Sequence, residues 1–224
     1  MISFELLSPN KFLPPDYWSL LLPSNSGIEV EIGPGDGRFL RDAATQSPQR
    51  LFLGLERRRR NVARIRKATE GLPNVIVLHT EAGWLVEYLL APETIDTFHV
   101  YFPDPWWKKR HHKRRLFTEG FCLGLMRSLK PEGKVFFVTD VASRSETIIE
   151  TMRSTGFLTT PWERRSDDRN QSSYERKYRR QGRGLLIAAF VKSRPLAGTP
   201  AQAVASARTA GSRKSLATEA NPSP

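Results

Sequence analysis

Apolar residues in this chain gather in short runs, separated by longer stretches in which they recur every third or fourth position. Six runs read as strands: Ile28–Ile32, Leu51–Glu56, Asn74–Thr80, Ile95–Phe102, Lys134–Thr139 and Gly184–Val191. They are rich in Val, Ile, Leu and Phe with little polar alternation, the pattern of strands covered on both faces. Two intervening stretches carry specific helix signals. Leu116–Leu129 places Phe117, Phe121, Leu125 and Leu129 at i, i+4 spacing and is stopped by Pro131 and Gly133. Ser143 with Glu146 forms a capping-box signature for another helix, closed by Gly156. Strands alternating with helices predict an α/β domain: a mainly parallel sheet with helices on both faces.

The pattern also sets limits. Residues 1–27, with Pro9, Pro14, Pro15 and Pro23, read as an N-terminal extension, and residues 28–192 as the folded domain. Residues 193–224 are Ala, Ser, Thr and Pro with scattered Arg and a single acid. Such a segment has almost nothing to bury and is expected to be a disordered basic tail.

Composition sharpens this picture in three ways. A net charge of +12 on 224 residues calls for an acidic partner, a nucleic acid or an anionic surface. The start, MISFELLSPN, has no basic region and no apolar run nears the roughly 20 residues of a membrane span, so a cytoplasmic protein with no membrane partner is expected. Cys122, the lone cysteine, falls on the apolar stripe of Leu116–Leu129 and reads as a core residue in a reducing compartment. With four histidines and no metal-ligand spacing, no metal is expected.

Candidate chemistry lies in two places. The first strand runs into Glu31-Ile32-Gly33-Pro34-Gly35-Asp36-Gly37. Glycines permit a tight turn and close backbone approach by a ligand at the carboxyl end of a sheet. The sixth position counted from Gly33 is Arg38, so this is not the dinucleotide fingerprint. Glu56 ends the second strand, where a carboxylate can accept both hydroxyls of a ribose, although a helix-start acid reads the same way. Glu81 follows the third strand, and there too a first-turn helix acid is the alternative.

The second place is Phe102-Pro103-Asp104-Pro105-Trp106-Trp107, followed by eight residues of which six are Lys or Arg. Flanking prolines stiffen the backbone, so Asp104 is held on a rigid loop, and its surroundings read as enclosed. Trp106 and Trp107 offer faces on which a nucleobase can stack, one of them being expected to pack instead, and Lys108–Arg115 supply charge for phosphates. Arg57–Arg60 read either as more of that basic surface or as a solvated helix face.

Together, the EIGxGxG turn, the acid ending the second strand and FPDPWxKKRHHKRR resemble the bacterial tRNA (guanine-N7-)-methyltransferase family over residues 28–191. The resemblance implies a Rossmann-like class I fold with a seven-stranded sheet, S-adenosyl-L-methionine as cofactor, and tRNA as partner. It implies methyl transfer to N7 of guanosine, at position 46 of the variable loop, by a monomer or homodimer. Residue by residue, it makes Glu31, Gly33, Gly35, Glu56 and Glu81 cofactor contacts and Asp104 the active-site acid beside the cofactor. Lys108, Asp140, Ser172, Ser173, Tyr174 and Glu175 become substrate contacts. The chain departs from the family at Ser172-Ser173, which stand for Thr-Lys, at Trp107, and at Glu81, which stands for Asp. Two rivals stay open: an amino methyltransferase acting on adenine or cytosine, whose D/N-P-P-Y/W loop is similar, and an RNA-binding protein without catalysis.

Overall fold

The structure, a computed structural model, describes residues 27–104, 116–162 and 171–193. The expected extension and tail therefore lie outside the described residues, as do Trp106, Trp107 and the basic run. Seven strands form one sheet: β1 (Ile28–Ile32), β2 (Leu51–Glu56), β3 (Val75–His79), β4 (Ile95–Tyr101), β5 (Leu129–Thr139), β6 (Phe157–Thr160) and β7 (Leu186–Lys192). Their order is β3-β2-β1-β4-β5-β7-β6. All pairings are parallel except those of β7, which runs antiparallel to both β5 and β6. The order reverses between β1 and β4, and the crevice beyond the carboxyl ends at such a switch point is where open α/β sheets bind ligands.

Among the described residues, six helical segments connect the strands. They are α1 (Arg38–Gln46), α2 (Arg59–Ala68), α3 (Ala82–Trp84, continued by a π-helical turn Leu85–Leu89), α4 (Glu119–Ser128), α5 (Ala142–Ser154) and α6 (Ser173–Arg180). Two apolar cores flank the sheet. Ile28, Val30 and Ile32 of β1 join Leu51, Leu53, Leu55, Phe98 and Val100 against α3, α4 and α5. On the opposite face Phe39, Leu40, Val62 and Ile65 of α1 and α2 pack on Phe52, Val77, Tyr101 and Val138. Cys122 is fully buried in the first core, where burial and then the charge of Glu119 push its thiol up to about 12.

Three expectations need correction. β1 does alternate: Glu29 and Glu31 stand on its second face. Glu29 is tolerated because Arg50 Nε lies 2.6 Å from its Oε1 and His99 Nε2 lies 2.7 Å from its Oε2. Burial alone would raise this carboxyl, but His99 and Arg50 outweigh it and hold it below its usual value. Second, β5 begins at Leu129, not Lys134. Ile95 pairs with Leu129 and Thr97 with Lys134, so the chain bulges between, with Glu132 at φ 64°. Third, α5 starts one residue ahead of Ser143. Its N-cap is Val141, which offers no side-chain bond, so the N-cap falls two residues before the position the Ser143–Glu146 signature marks. Side-chain caps occur at α4, where Thr118 Oγ1 accepts the Phe121 N–H at 3.1 Å, and at α6, where Ser172 Oγ accepts the Glu175 N–H at 3.2 Å.

Candidate active site

The glycine turn follows directly from β1. Gly33, Gly35 and Gly37 all take left-handed φ values of 69°, 62° and 78°. Residues with a Cβ rarely adopt this conformation, and three in five positions demand glycine. The Gly33 N–H donates to the Leu55 carbonyl at 2.9 Å, and the Gly37 N–H to the Pro34 carbonyl at 2.9 Å. A Cβ on Gly37 would meet Ile65 at 3.0–3.3 Å, so α2 closes over this end of the turn. Beside Gly33, by contrast, no atom lies within 4 Å of where a Cβ would project. The turn thus presents bare backbone to open space on one side and packs tightly on the other.

Three acids stand at or near the carboxyl ends of β1, β2 and β3. Glu31, the penultimate residue of β1, is buried, 3% exposed. Glu56 closes β2, 6% exposed, with Oε1 accepting the Arg58 N–H at 2.8 Å and Oε2 accepting Asn61 Nδ2–H at 3.1 Å. Each carboxylate oxygen can accept more than one bond, so these contacts fix the group's orientation while leaving acceptor capacity. Glu56 thus stands at the end of β2 and supports the start of α2. Glu81 is exposed at the N-cap position of α3, where its side chain makes no capping bond.

Asp104 arrives from the neighbouring strand. Ile32 of β1 pairs with Val100 of β4, so the loops after both strands leave the sheet side by side. Phe102 has φ 51°, a left-handed conformation uncommon for a bulky residue, and its N–H donates to the Val138 carbonyl at 2.8 Å. That reversal ends the ladder and turns Pro103-Asp104 out over the sheet. The Asp104 side chain is 52% exposed rather than enclosed: proline restricts backbone φ and does not bury a neighbouring side chain. Arg57 Nη2 donates to Asp104 Oδ2 at 3.1 Å and Arg58 Nη2 stands 3.7 Å away. Two of the Arg57–Arg60 cations thus reach the acid while remaining in contact with solvent.

The late motif folds over the glycine turn. Ser173 Oγ donates to Asp36 Oδ2 at 2.6 Å and accepts from Arg38 Nε at 3.2 Å, which ties the first turn of α6 to that of α1. Tyr174 is exposed, and its ring edge lies 3.9 Å from where a Gly35 Cβ would project. Ser172 caps α6, and Glu175 is fully buried with Oε1 accepting from Arg179 Nη2 at 3.0 Å. Asp140, at the end of β5, accepts from Arg183 Nη1 at 2.9 Å. Arg183 lies over the Tyr178 ring at 4.5 Å from its centroid, and Tyr178 meets Phe102 edge-on at 5.3 Å. Burial and then Asp140 push the Tyr178 hydroxyl above its ordinary value, so it stays protonated. The structure thus brings Gly33, Gly35, Glu56, Asp104, Asp140, Ser173 and Tyr174 to one end of the sheet. Lys108 lies outside the described residues. Sequence reasoning did not single out Asp36, Tyr178 or Arg183; only the chain-distant contacts reveal them.

A glycine turn at the switch point, with β7 antiparallel in this sheet order, defines a Rossmann-like class I methyltransferase fold. Solved structures share it: the 16S rRNA methyltransferase KamB aligns with TM-score 0.58 at 18% identity, covering 81% of this chain and 94% of that one. A mutant of the 16S rRNA (adenine(1408)-N(1))-methyltransferase from Catenulisporales acidiphilia, solved with its cosubstrate SAM, aligns with TM-score 0.56 at 20% identity, covering 83% and 94%. The Methyltransf_4 family model, described as putative methyltransferase, matches residues 25–188, and the chain belongs to this family. It is 35% identical over 167 residues to the tRNA (guanine-N(7)-)-methyltransferase of Nitrosococcus oceani, covering 73% of this chain and 71% of that protein. It is 36% identical over 169 residues to that of Thermus thermophilus, covering 75% and 54%.

Proposed function

We propose that this chain transfers a methyl group from S-adenosyl-L-methionine to N7 of guanosine in tRNA, at position 46 of the variable loop. The observation that carries the reading is the juxtaposition, at the ends of adjacent strands, of a bare glycine turn and a proline-held acid. The site fits the cofactor. The open backbone at Gly33 admits a ligand, Glu56 is held with acceptor capacity for ribose hydroxyls, Glu31 precedes the turn on β1, and Glu81 stands at the carboxyl end of β3. Bound there, the cofactor supplies an electrophilic methyl group carried on a sulfonium.

Guanine N7 has a lone pair and no proton, so the reaction needs no general base. Positive charge passes to the purine as the new bond forms. Asp104, an exposed carboxylate on a constrained loop, faces that charge, orients the base and stabilises the developing cation. Arg57 and Arg58 hold Asp104 until the base replaces them. Tyr174, at the mouth of the turn, supplies an aromatic face for the RNA, while Ser173 and Asp140 fix its surroundings and Lys108 takes up backbone charge. Ser172 and Glu175 act by setting the start of α6. On this reading residues 28–192 are the methyltransferase domain between an extension and a tail, working in the cytoplasm as a monomer or homodimer. Incubation with unmodified tRNA and labelled cofactor, followed by mapping of the product, should find 7-methylguanosine at position 46. A methyl on an amino group of adenine or cytosine, or none, refutes it.

A further inference from the structure

A cleft of about 400 Å³ opens between α1 and α6, lined by Arg38, Ser173, Arg176, Lys177, Arg180 and Gln181. Four of the six are cations. Among the described residues the lining holds no carboxylate and no aromatic ring, so charge dominates what it offers a ligand. Arg176, Lys177 and Arg180 reach it together because residues three and four apart share a helix face. Arg179 turns the other way, to the buried carboxylate of Glu175. Among the described residues, Arg38, Lys177 and Arg180 make no ion pair. Like charges gathered on one short helix repel one another, and the cost is removed by an anion that meets them together. Ser173 belongs both to this lining and to the bond that anchors α6 on Asp36, so the cleft adjoins the glycine turn.

We propose that this cleft binds RNA phosphodiesters next to the target nucleotide through Arg38 and α6, an inference that rests on the tRNA reading above. A base drawn out of an RNA stack must have its own backbone held, and a cleft beside the cofactor turn is placed to hold it. Phosphates are met by Arg38, Arg176, Lys177 and Arg180, while Gln181 offers both a donor and an acceptor to a ribose hydroxyl.

The test uses the full chain and unmodified tRNA, with binding measured between about 50 and about 200 mM salt. Each phosphate contact contributes a slope of about −0.7 to −0.9 in log affinity against log salt. K177A/R180A should therefore lose about tenfold of the affinity ratio between the two salt concentrations, about threefold per contact. Swapping the cations as K177R/R180K should retain it, and the affinity of each variant for S-adenosyl-L-methionine should stay within about twofold of wild type. An unchanged slope in K177A/R180A, with wild type still binding and methylating tRNA, overturns the cleft alone. So does a parallel fall in cofactor affinity, or a loss confined to saturable binding of inorganic phosphate. A wild-type protein that binds no tRNA defeats the functional reading, and the cleft with it.

Discussion

Replacing Asp104 by Asn should separate catalysis from stability. The side chain is 52% exposed, and its partners Arg57 and Arg58 are 43% and 61% exposed. Ion pairs in such surroundings are screened by water and contribute about 0–1 kcal/mol. For a chain of this size a loss of about 1 kcal/mol moves the melting temperature by only about 2–4 °C. Turnover responds differently. A preorganised charge facing a developing cation is typically worth about 2.7–4 kcal/mol in the transition state, or about 10²–10³ in rate. Asn keeps the shape and one acceptor oxygen but removes the charge. Single-turnover methylation of tRNA, with cofactor and tRNA dissociation constants measured in parallel, should show the rate falling by that factor and both constants changing far less. A variant with a near-normal single-turnover rate would refute the role. So would one whose rate loss is matched by a collapse in melting temperature, because Asp104 would then be a packing residue.

Three further outcomes are expected. Gly37→Ala places a Cβ 3.0–3.3 Å from Ile65 at φ 78°, so chemical denaturation should show a loss of about 1 kcal/mol or more; an unchanged midpoint contradicts the packing described for the turn. Glu29 has a depressed folded-state value, so its stabilisation is present above the ordinary carboxylate range and is lost as pH falls through the lower folded value. Stability followed from neutral to acid should fall less steeply in Glu29→Gln than in wild type. Cys122, buried and pushed up to about 12, should resist alkylation in the native protein and react fully once unfolded. Rapid native labelling would contradict its place in the core.

Legibility in the sequence followed the range of the interactions concerned. β1 and β2 have the expected limits, because Ile, Leu and Val runs there are cut by glycine or by a polar segment. β6 escaped individual notice because Phe157–Thr160 is a four-residue edge strand with Leu158 in solvent. A run that short carries no period, and the seventh strand came from resemblance alone. The start of α5 differs from the expected one because the capping signature falls inside the helix, past its N-cap Val141. The glycine turn and the proline-held acid were legible because both are local backbone devices. The partners of that acid were not: Arg57 lies 47 residues from Asp104, and Ser173 lies 137 from Asp36. Such pairs exist only once the sheet order is known.

The antiparallel β7 has a consequence for how the chain is made. It lies between β5 and β6, so β6 has no neighbour in the sheet until Leu186–Lys192 are present. A ribosome-bound chain that has just completed β5 exposes the edge of Lys134–Thr139, with Val135 and Phe137 beside it and nothing to pair with. Unpaired apolar edges of this kind invite pairing with other chains. Synthesis from the N-terminus therefore leaves a sticky intermediate until the last strand inserts. A stop codon before Leu186 would make that intermediate permanent, with the glycine turn and Asp104 already encoded but the sheet that carries them open at one side.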